Sequence, residues 1–375
     1  MSSAIAGQEP IRVLHVLQRM EAGGTQAFLM NLYRNIDRSK VQFDFLVEYS
    51  EKQFYDDEIE SMGGNVYRTS FREDFNLIKF KRDLKQFFEI HNRYDIIHCH
   101  VYTVGYFVLK AAKKTNITIR IAHSHNNNMS GVTKPLKIVM RHLFSIYANR
   151  FMACSDEAGA FLFGNRAFTV IRNAIDVDKF TFSEVKRAEI RQELGLEDAF
   201  VVGNVGRLHH QKNQLFLLDV FKEILLHKSN SVLLLVGNGP LRQKLLSKAV
   251  SLSISDRIIL LSDRHDMDRL YQAMDVFVLP SLYEGFGIVA IEAQSAGLPT
   301  ICSSGVAKAA NVSKLFSELS LDDSPSVWAE KIIAANGERD SFAGSTGARS
   351  HGFDIKSNSL ELQNWYLREA EYASR

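Results

Sequence analysis

Cysteine is scarce in this 375-residue chain: Cys99, Cys154 and Cys302 lie far apart and none belongs to a CxxC pair. That argues against a disulfide framework or a zinc module and fits a reducing compartment. Long apolar runs are missing too. IIHCHVYTVGYFVLKAA and DVFVLPSLY are interrupted by polar groups or short, so neither offers the ~20 clean apolar residues that span a bilayer. The opening MSSAIAGQEP has neither a basic leader nor an apolar signal core, from which a cytoplasmic location is expected. No short-period repeat or low-complexity stretch is visible, and no GxGxxG follows an apolar run, which weakens a nicotinamide dehydrogenase reading.

What is present is ordinary globular composition, 46% hydrophobic and 23% charged, in a length suited to two or three domains at roughly 100–200 residues each. Charge is unevenly placed. Residues 1–180 carry 24 Lys/Arg against 19 Asp/Glu, and residues 181–375 carry 21 against 24. No acid lies between Asp95 and Asp156, a stretch that holds Lys110, Lys113, Lys114, Arg120, Lys134, Lys137, Arg141, Arg150 and five histidines. Such a block attracts anions: phosphate-bearing ligands, anionic lipid head groups or nucleic acid. It lacks the interleaved aromatics of a base-stacking surface, so nucleic acid is the weakest of these.

Apolar runs alternate with helical periodicity throughout. IRVLHVL, QFDFLV, YDIIHCH and TIRIAHS form a first series; AFVVGNVG, SVLLLVGNG, DRIILLS, MDVFVLP and LPTIC form a second. Near-continuous apolar strands separated by helices predict parallel sheets covered on both faces. The expected architecture is therefore α/β, two doubly wound halves covering 1–180 and 181–356, with a join near RNAIDVDKFTFSEVKRAEI. A final helix over 357–375 carries Leu362, Trp365, Tyr366 and Ala370 on one stripe. Ligands of such sheets bind beyond the carboxyl ends of the strands, and two sheets facing each other would enclose a central cleft.

Four loops after strands could hold chemistry. PSLYEGFGIVAIEAQSAGLP sets Glu284 and Glu292 eight residues apart around Gly285 and Gly287, with a helix expected from about Ile288. Its N-terminus suits a phosphate or sugar hydroxyls. Glu292, one turn in, could accept hydrogen bonds from a ribose diol, and Glu284 from a second ring. VGNVGRLHHQKNQ places Arg207 and Lys212 across a short loop, a fork and a point charge able to clamp a diphosphate; His209 and His210 read as loop residues. MEAGGTQAF offers Gly23 and Gly24 for close backbone approach and Thr25 as a helix cap. RIAHSHNNN projects His123 and His125 to one side of a strand end. With His98 and His100 these histidines suggest a metal, but no carboxylate or CxxC completes the shell, so none is expected. Asp176/Asp178 and Asp266/Asp268 have structural explanations as turn and helix-start acids.

Together these residues resemble the retaining family 4 glycosyltransferases of GT-B fold, across nearly the whole chain. EGFGIVAIE, GRLHHQKN, LLVGNGP, AMDVFVLPSLYEGFG, AGLPTI and VIRNAIDVDKF carry the resemblance in the family's order, and AGGTQ and AHSHN are most similar to bacterial exopolysaccharide and capsule members. The resemblance implies a sugar moved from a nucleotide-diphosphate donor to a glycan or lipid-diphosphate-linked acceptor, with no cofactor or metal. It implies that Arg207 and Lys212 neutralise the departing diphosphate and that Glu292 holds the donor ribose. Glu284 and the backbone of Phe286, Gly287 and Ile288 would hold the sugar, which His125 also approaches, while Gly23 and Gly24 line the diphosphate and acceptor side. Two departures stand out. SSGVAKAANVS lacks an acid the family often has, and Asn238 stands where aspartate is frequent.

Within GVTKPLKIVMRHLFSIYANR, Lys134, Lys137 and Arg141 share a helical side opposite an apolar stripe, a pattern suited to an anionic membrane surface at the inner face of the membrane. The competing readings are another nucleotide-sugar enzyme of this fold, an epimerase or a phosphorylase, and a catalytically silent nucleotide-sugar-binding protein. No pyridoxal-phosphate lysine environment is visible for a phosphorylase.

Overall fold

The computed structural model describes residues 9–21, 24–115, 117–125, 143–262, 264 and 266–374. The chain divides into two compact units, Met1–Ala174 with Ile355–Arg375, and Ile175–Asp354. Both junctions lie a few residues upstream of those read from the sequence. Val177 and Phe180, in the helix capped by Asp176, are buried in the core of the second unit. Ile355 is buried in that of the first.

The first unit holds a parallel sheet of β1 (Ile11–Val16), β2 (Val41–Val47), β3 (Val66–Arg68), β4 (Ile96–Cys99), β5 (Ile119–Ser124), β6 (Arg150–Ala153) and β7 (Thr169–Val170), in the order β3-β2-β1-β4-β5-β6-β7. The second holds β8 (Phe200–Val205), β9 (Ser231–Val236), β10 (Ile258–Leu261), β11 (Val276–Leu279), β12 (Thr300–Ser303) and β13 (Phe316–Leu319), in the order β10-β9-β8-β11-β12-β13. Both orders reverse beside the first strand of their unit, which makes the carboxyl ends of β1/β4 and of β8/β11 the natural ligand crevices. The short strands β3, β6, β7 and β13 had no distinct apolar run to announce them.

Side-chain alternation explains why each sheet carries two cores. In β1, Val13 packs on one face while Leu14 and Val16 pack on the other; in β4, Ile96 opposes Ile97 and Cys99. The helix Ile355–Ser374 covers the Val13 face, with Leu362 and Tyr366 buried and Trp365 and Ala370 packed against the same cluster. Among the described residues no helix is long and apolar enough to cross a membrane.

Candidate active site

In the second unit, the loop after β8 and the loop after β11 are stitched together. Leu282 N–H donates to the Gln211 carbonyl at 2.8 Å, and Gln211 Nε2 donates to the Tyr283 carbonyl at 2.8 Å. This pairing brings Lys212 Nζ to 2.5 Å from Glu284 Oε1, which also accepts from Ser281 Oγ at 2.6 Å. The sequence suggested Lys212 and Glu284 separately; their ion pair is a product of the fold. Arg207 precedes them in the same loop, exposed and without an ion-pair partner among the described residues. Its guanidinium is therefore the uncommitted positive charge of the two. His209 and His210 are exposed, but they are not plain loop: His209 caps and His210 opens a 3₁₀ turn, His210–Lys212.

Beyond Glu284 the chain turns through Gly287, whose φ of +79° is a left-handed cap for the helix Ile288–Ser295. A Cβ there would also press to 3.1 Å on Val306. Gly285 is different: a Cβ would meet nothing within 4 Å, so the protein's own packing does not demand glycine. Phe286 turns its ring into the core against Phe353, 5.1 Å between centroids, which leaves its backbone as the part able to meet a ligand. Ile288 is likewise packed on that core.

Glu292 lies one turn into this helix, partly buried, with Oε2 accepting from Tyr271 Oη at 2.8 Å. Burial pushes its carboxyl up to about 7, against the downward pull of the Tyr271 hydrogen bond and the Lys179 charge. A carboxyl so poised gains most from any ligand that donates hydrogen bonds to its ionised form. Tyr271 gave no signal in the sequence, because nothing links it to Glu292 except the packing of their two helices.

The Asp-x-Asp acids are engaged elsewhere. Asp176 caps its helix and Asp178 pairs with Arg349. Asp266 binds Arg264 and Arg269, and Asp268 binds Lys179 and Lys186.

In the first unit, five histidines gather at the carboxyl ends of β1, β4 and β5. His15 Nδ1 is 3.0 Å from His100 Nε2, and His100 Nδ1 is 2.7 Å from His125 Nε2. A second row runs from His123 Nδ1 to His98 Nε2 at 2.9 Å, and from His98 Nδ1 to Tyr366 Oη at 2.6 Å. His123 and His125 stack at 4.1 Å, on one side as the alternation predicted. Burial lowers all five, His15 and His125 to about 3, so they are neutral at pH 7. His15 was missed: inside IRVLHVL it looks like a break in an apolar strand.

A cavity of about 370 Å³ opens beside them, lined among others by Thr25, Gln26, Arg72, His100, His123 and His125. Arg72 is tied to buried Glu48 at 2.6 Å. Gly24 opens the helix Gly24–Asn35 with open space around it, and Thr25 is the second residue of that helix, not its cap as expected. Gly23, Lys134, Lys137 and Arg141 lie outside the described residues.

The sequence pattern described as "Glycosyltransferase Family 4" matches residues 22–179, and that of "Glycosyl transferases group 1" matches residues 186–335. The chain is 32% identical over 369 residues to the "Putative glycosyltransferase EpsF" of Bacillus subtilis, covering 95% of this chain and 96% of that protein. The chain belongs to the family 4 glycosyltransferases. This glycosyltransferase is also 26% identical over 309 residues to the Escherichia coli UDP-Gal:alpha-D-GlcNAc-diphosphoundecaprenol alpha-1,3-galactosyltransferase, covering 78% and 79% of the two chains. Its fold is of the GT-B type. The Anabaena protein HepE, crystallised with UDP-glucose, superposes with a TM-score of 0.73 at 19% identity, covering 96% of this chain and all of that one (100%).

Proposed function

We propose that this glycosyltransferase moves a hexose from a nucleotide-diphosphate sugar to a lipid-diphosphate-linked glycan in surface polysaccharide synthesis, with retention of anomeric configuration. The observation that carries the reading is the Lys212–Glu284 pair beside the Gly285–Gly287 turn, with Glu292 one helical turn beyond. The UDP-glucose bound by HepE and the diphosphoundecaprenol acceptor in the name of the E. coli relative support the two substrate classes.

In this reading Glu292 accepts the ribose hydroxyls, while Glu284 and the backbone from Phe286 to Ile288 hold the sugar. Breaking the anomeric C–O bond leaves negative charge on the diphosphate, which Arg207, Lys212 and the helix N-terminus at Ile288 stabilise; no metal is invoked for this step. The acceptor hydroxyl forms the new C–O bond on the face the diphosphate leaves, and its proton passes to a diphosphate oxygen.

The test is a thermal-shift panel of nucleotide sugars followed by product analysis with the stabilising donor. A new glycoside of the donor's anomeric configuration supports the proposal; a free epimer, a sugar phosphate or no turnover refutes it. An anionic membrane surface is the proposed location of the acceptor. The groove between the helices Leu77–Ile90 and Tyr102–Lys114, lined by Lys81, Lys110, Lys114, Tyr106 and Phe107 and by the Lys85–Glu89 pair, supports a net basic, partly apolar contact. Salt-sensitive co-sedimentation with phosphatidylglycerol vesicles is expected, and its absence would remove the membrane from the proposal.

A further inference from the structure

The histidine rows contain more lone pairs than hydrogen-bond partners. A neutral imidazole carries one N–H and one bare nitrogen. His100 therefore donates to one of its imidazole neighbours and accepts from the other, so the row His15–His100–His125 has only two protonation patterns. In each, one terminal nitrogen is bare and the other carries a proton. Neither His15 Nε2 nor His125 Nδ1 has a hydrogen-bond partner among the described residues, and His123 Nε2 at the end of the second row has none either. The orphaned nitrogen of His123, which lines the cavity beside the cluster, needs an explanation.

His123 is only 2% exposed. His100, His123 and His125 can each present one ring nitrogen such that all three lie within 4.8 Å of one another, and all three line the same cavity. We propose that His100, His123 and His125 form a binding site for a first-row transition-metal dication of the zinc type, entered from this cavity. Three imidazoles with an open fourth position are a sufficient zinc ligand set, and carboxylate or cysteine is not required.

The surroundings supply what such ligands need. With a cation on His123 Nε2, the ring proton sits on Nδ1 and donates to His98 Nε2, whose own proton goes to Tyr366 Oη. With a cation on His100 Nδ1, the proton sits on Nε2 and donates to His15 Nδ1. Two ligands thus have an imidazole behind them that fixes tautomer and orientation. The cation takes the place of the proton between His100 Nδ1 and His125 Nε2, which are 2.7 Å apart, and His125 keeps its proton on Nδ1. Their parting by roughly half an ångström gives the spacing of two nitrogens each about 2.0–2.1 Å from zinc. The neighbouring Arg72 charge is offset by Glu48.

This inference goes beyond the transfer reading and is tested without donor or acceptor, so either can fail alone. Tag-free full-length protein, stripped with chelator, is dialysed against Zn(II), and Co(II) is added as a spectroscopic probe. One Zn(II) per chain and a Co(II) spectrum with nitrogen-ligand d–d bands are expected. His123→Gln with His125→Gln should weaken uptake at least 100-fold, and His98→Gln about 10–100-fold. His209→Gln with His210→Gln, in the exposed loop after β8, should leave uptake unchanged. Circular dichroism checks that each variant folds; if the double variant does not, His125→Gln alone is compared. Failure of the wild type to take up Zn(II) stoichiometrically overturns the proposal. So does uptake that survives loss of His123 and His125, or that vanishes with His209 and His210.

Discussion

If Glu292 holds the donor ribose as proposed, it should tie stability and donor binding to pH in opposite senses. Its carboxyl is raised from 4.5 to about 7 by burial, with Tyr271 and Lys179 the groups that face it. Between these values the folded state holds a proton that the unfolded state has released. The neutral carboxyl's contribution is therefore complete below about pH 4.5 and is lost as pH rises through about 7. A shift of this size corresponds to about 3 kcal/mol, an upper figure because the side chain keeps some contact with water. Glu292→Gln retains an acceptor for Tyr271 and removes the titration. Urea denaturation of both proteins from pH 4.5 to 8 should show the wild type losing up to about 3 kcal/mol relative to the variant, with a plateau above pH 7.5. Donor affinity should move the other way. Hydroxyls of a ribose favour the ionised carboxylate, so wild-type affinity should rise toward pH 7.5 while the variant binds weakly at every pH. Wild-type stability that stays flat relative to the variant across this range, or rises relative to it with pH, would refute the assignment of a buried, raised carboxyl.

Other outcomes follow from the same geometry. Lys212→Met strands a nearly buried carboxylate at Glu284 and should cost about 3 kcal/mol in denaturant unfolding; adding Glu284→Gln should restore much of that stability but not turnover. Gly285→Ala should leave the melting temperature unchanged yet weaken donor binding by calorimetry, because only a ligand stands to occupy that space. Gly287→Ala should destabilise by about 1–2 kcal/mol, since alanine disfavours a φ of +79°. Tyr366→Phe removes the hydroxyl from His98 Nδ1 and should cost about 1–3 kcal/mol, with local amide exchange rising around β4 and the helix Ile355–Ser374.

The amino-acid order determined the elements and the loops that follow the strands. Apolar runs separated by helical periods specify parallel strands, because only strands buried on both faces are apolar at successive positions. Glycine at 287 and the glutamates on either side of it mark the strand-to-helix turn for the same local reason: a left-handed cap and a helix start are properties of a few consecutive residues. Pairings across the chain were decided by tertiary structure alone. Lys212 meets Glu284 because the β8 and β11 loops hydrogen-bond to each other, and Glu292 meets Tyr271 because their helices pack together. The histidine rows show this most clearly. His15, His98 and His123 each follow an alternation that any strand would show, but parallel register and a helix from the far end of the chain stack them into one neutral cluster. Spacing within a strand says which face a residue takes; only the register between strands says what it will meet there.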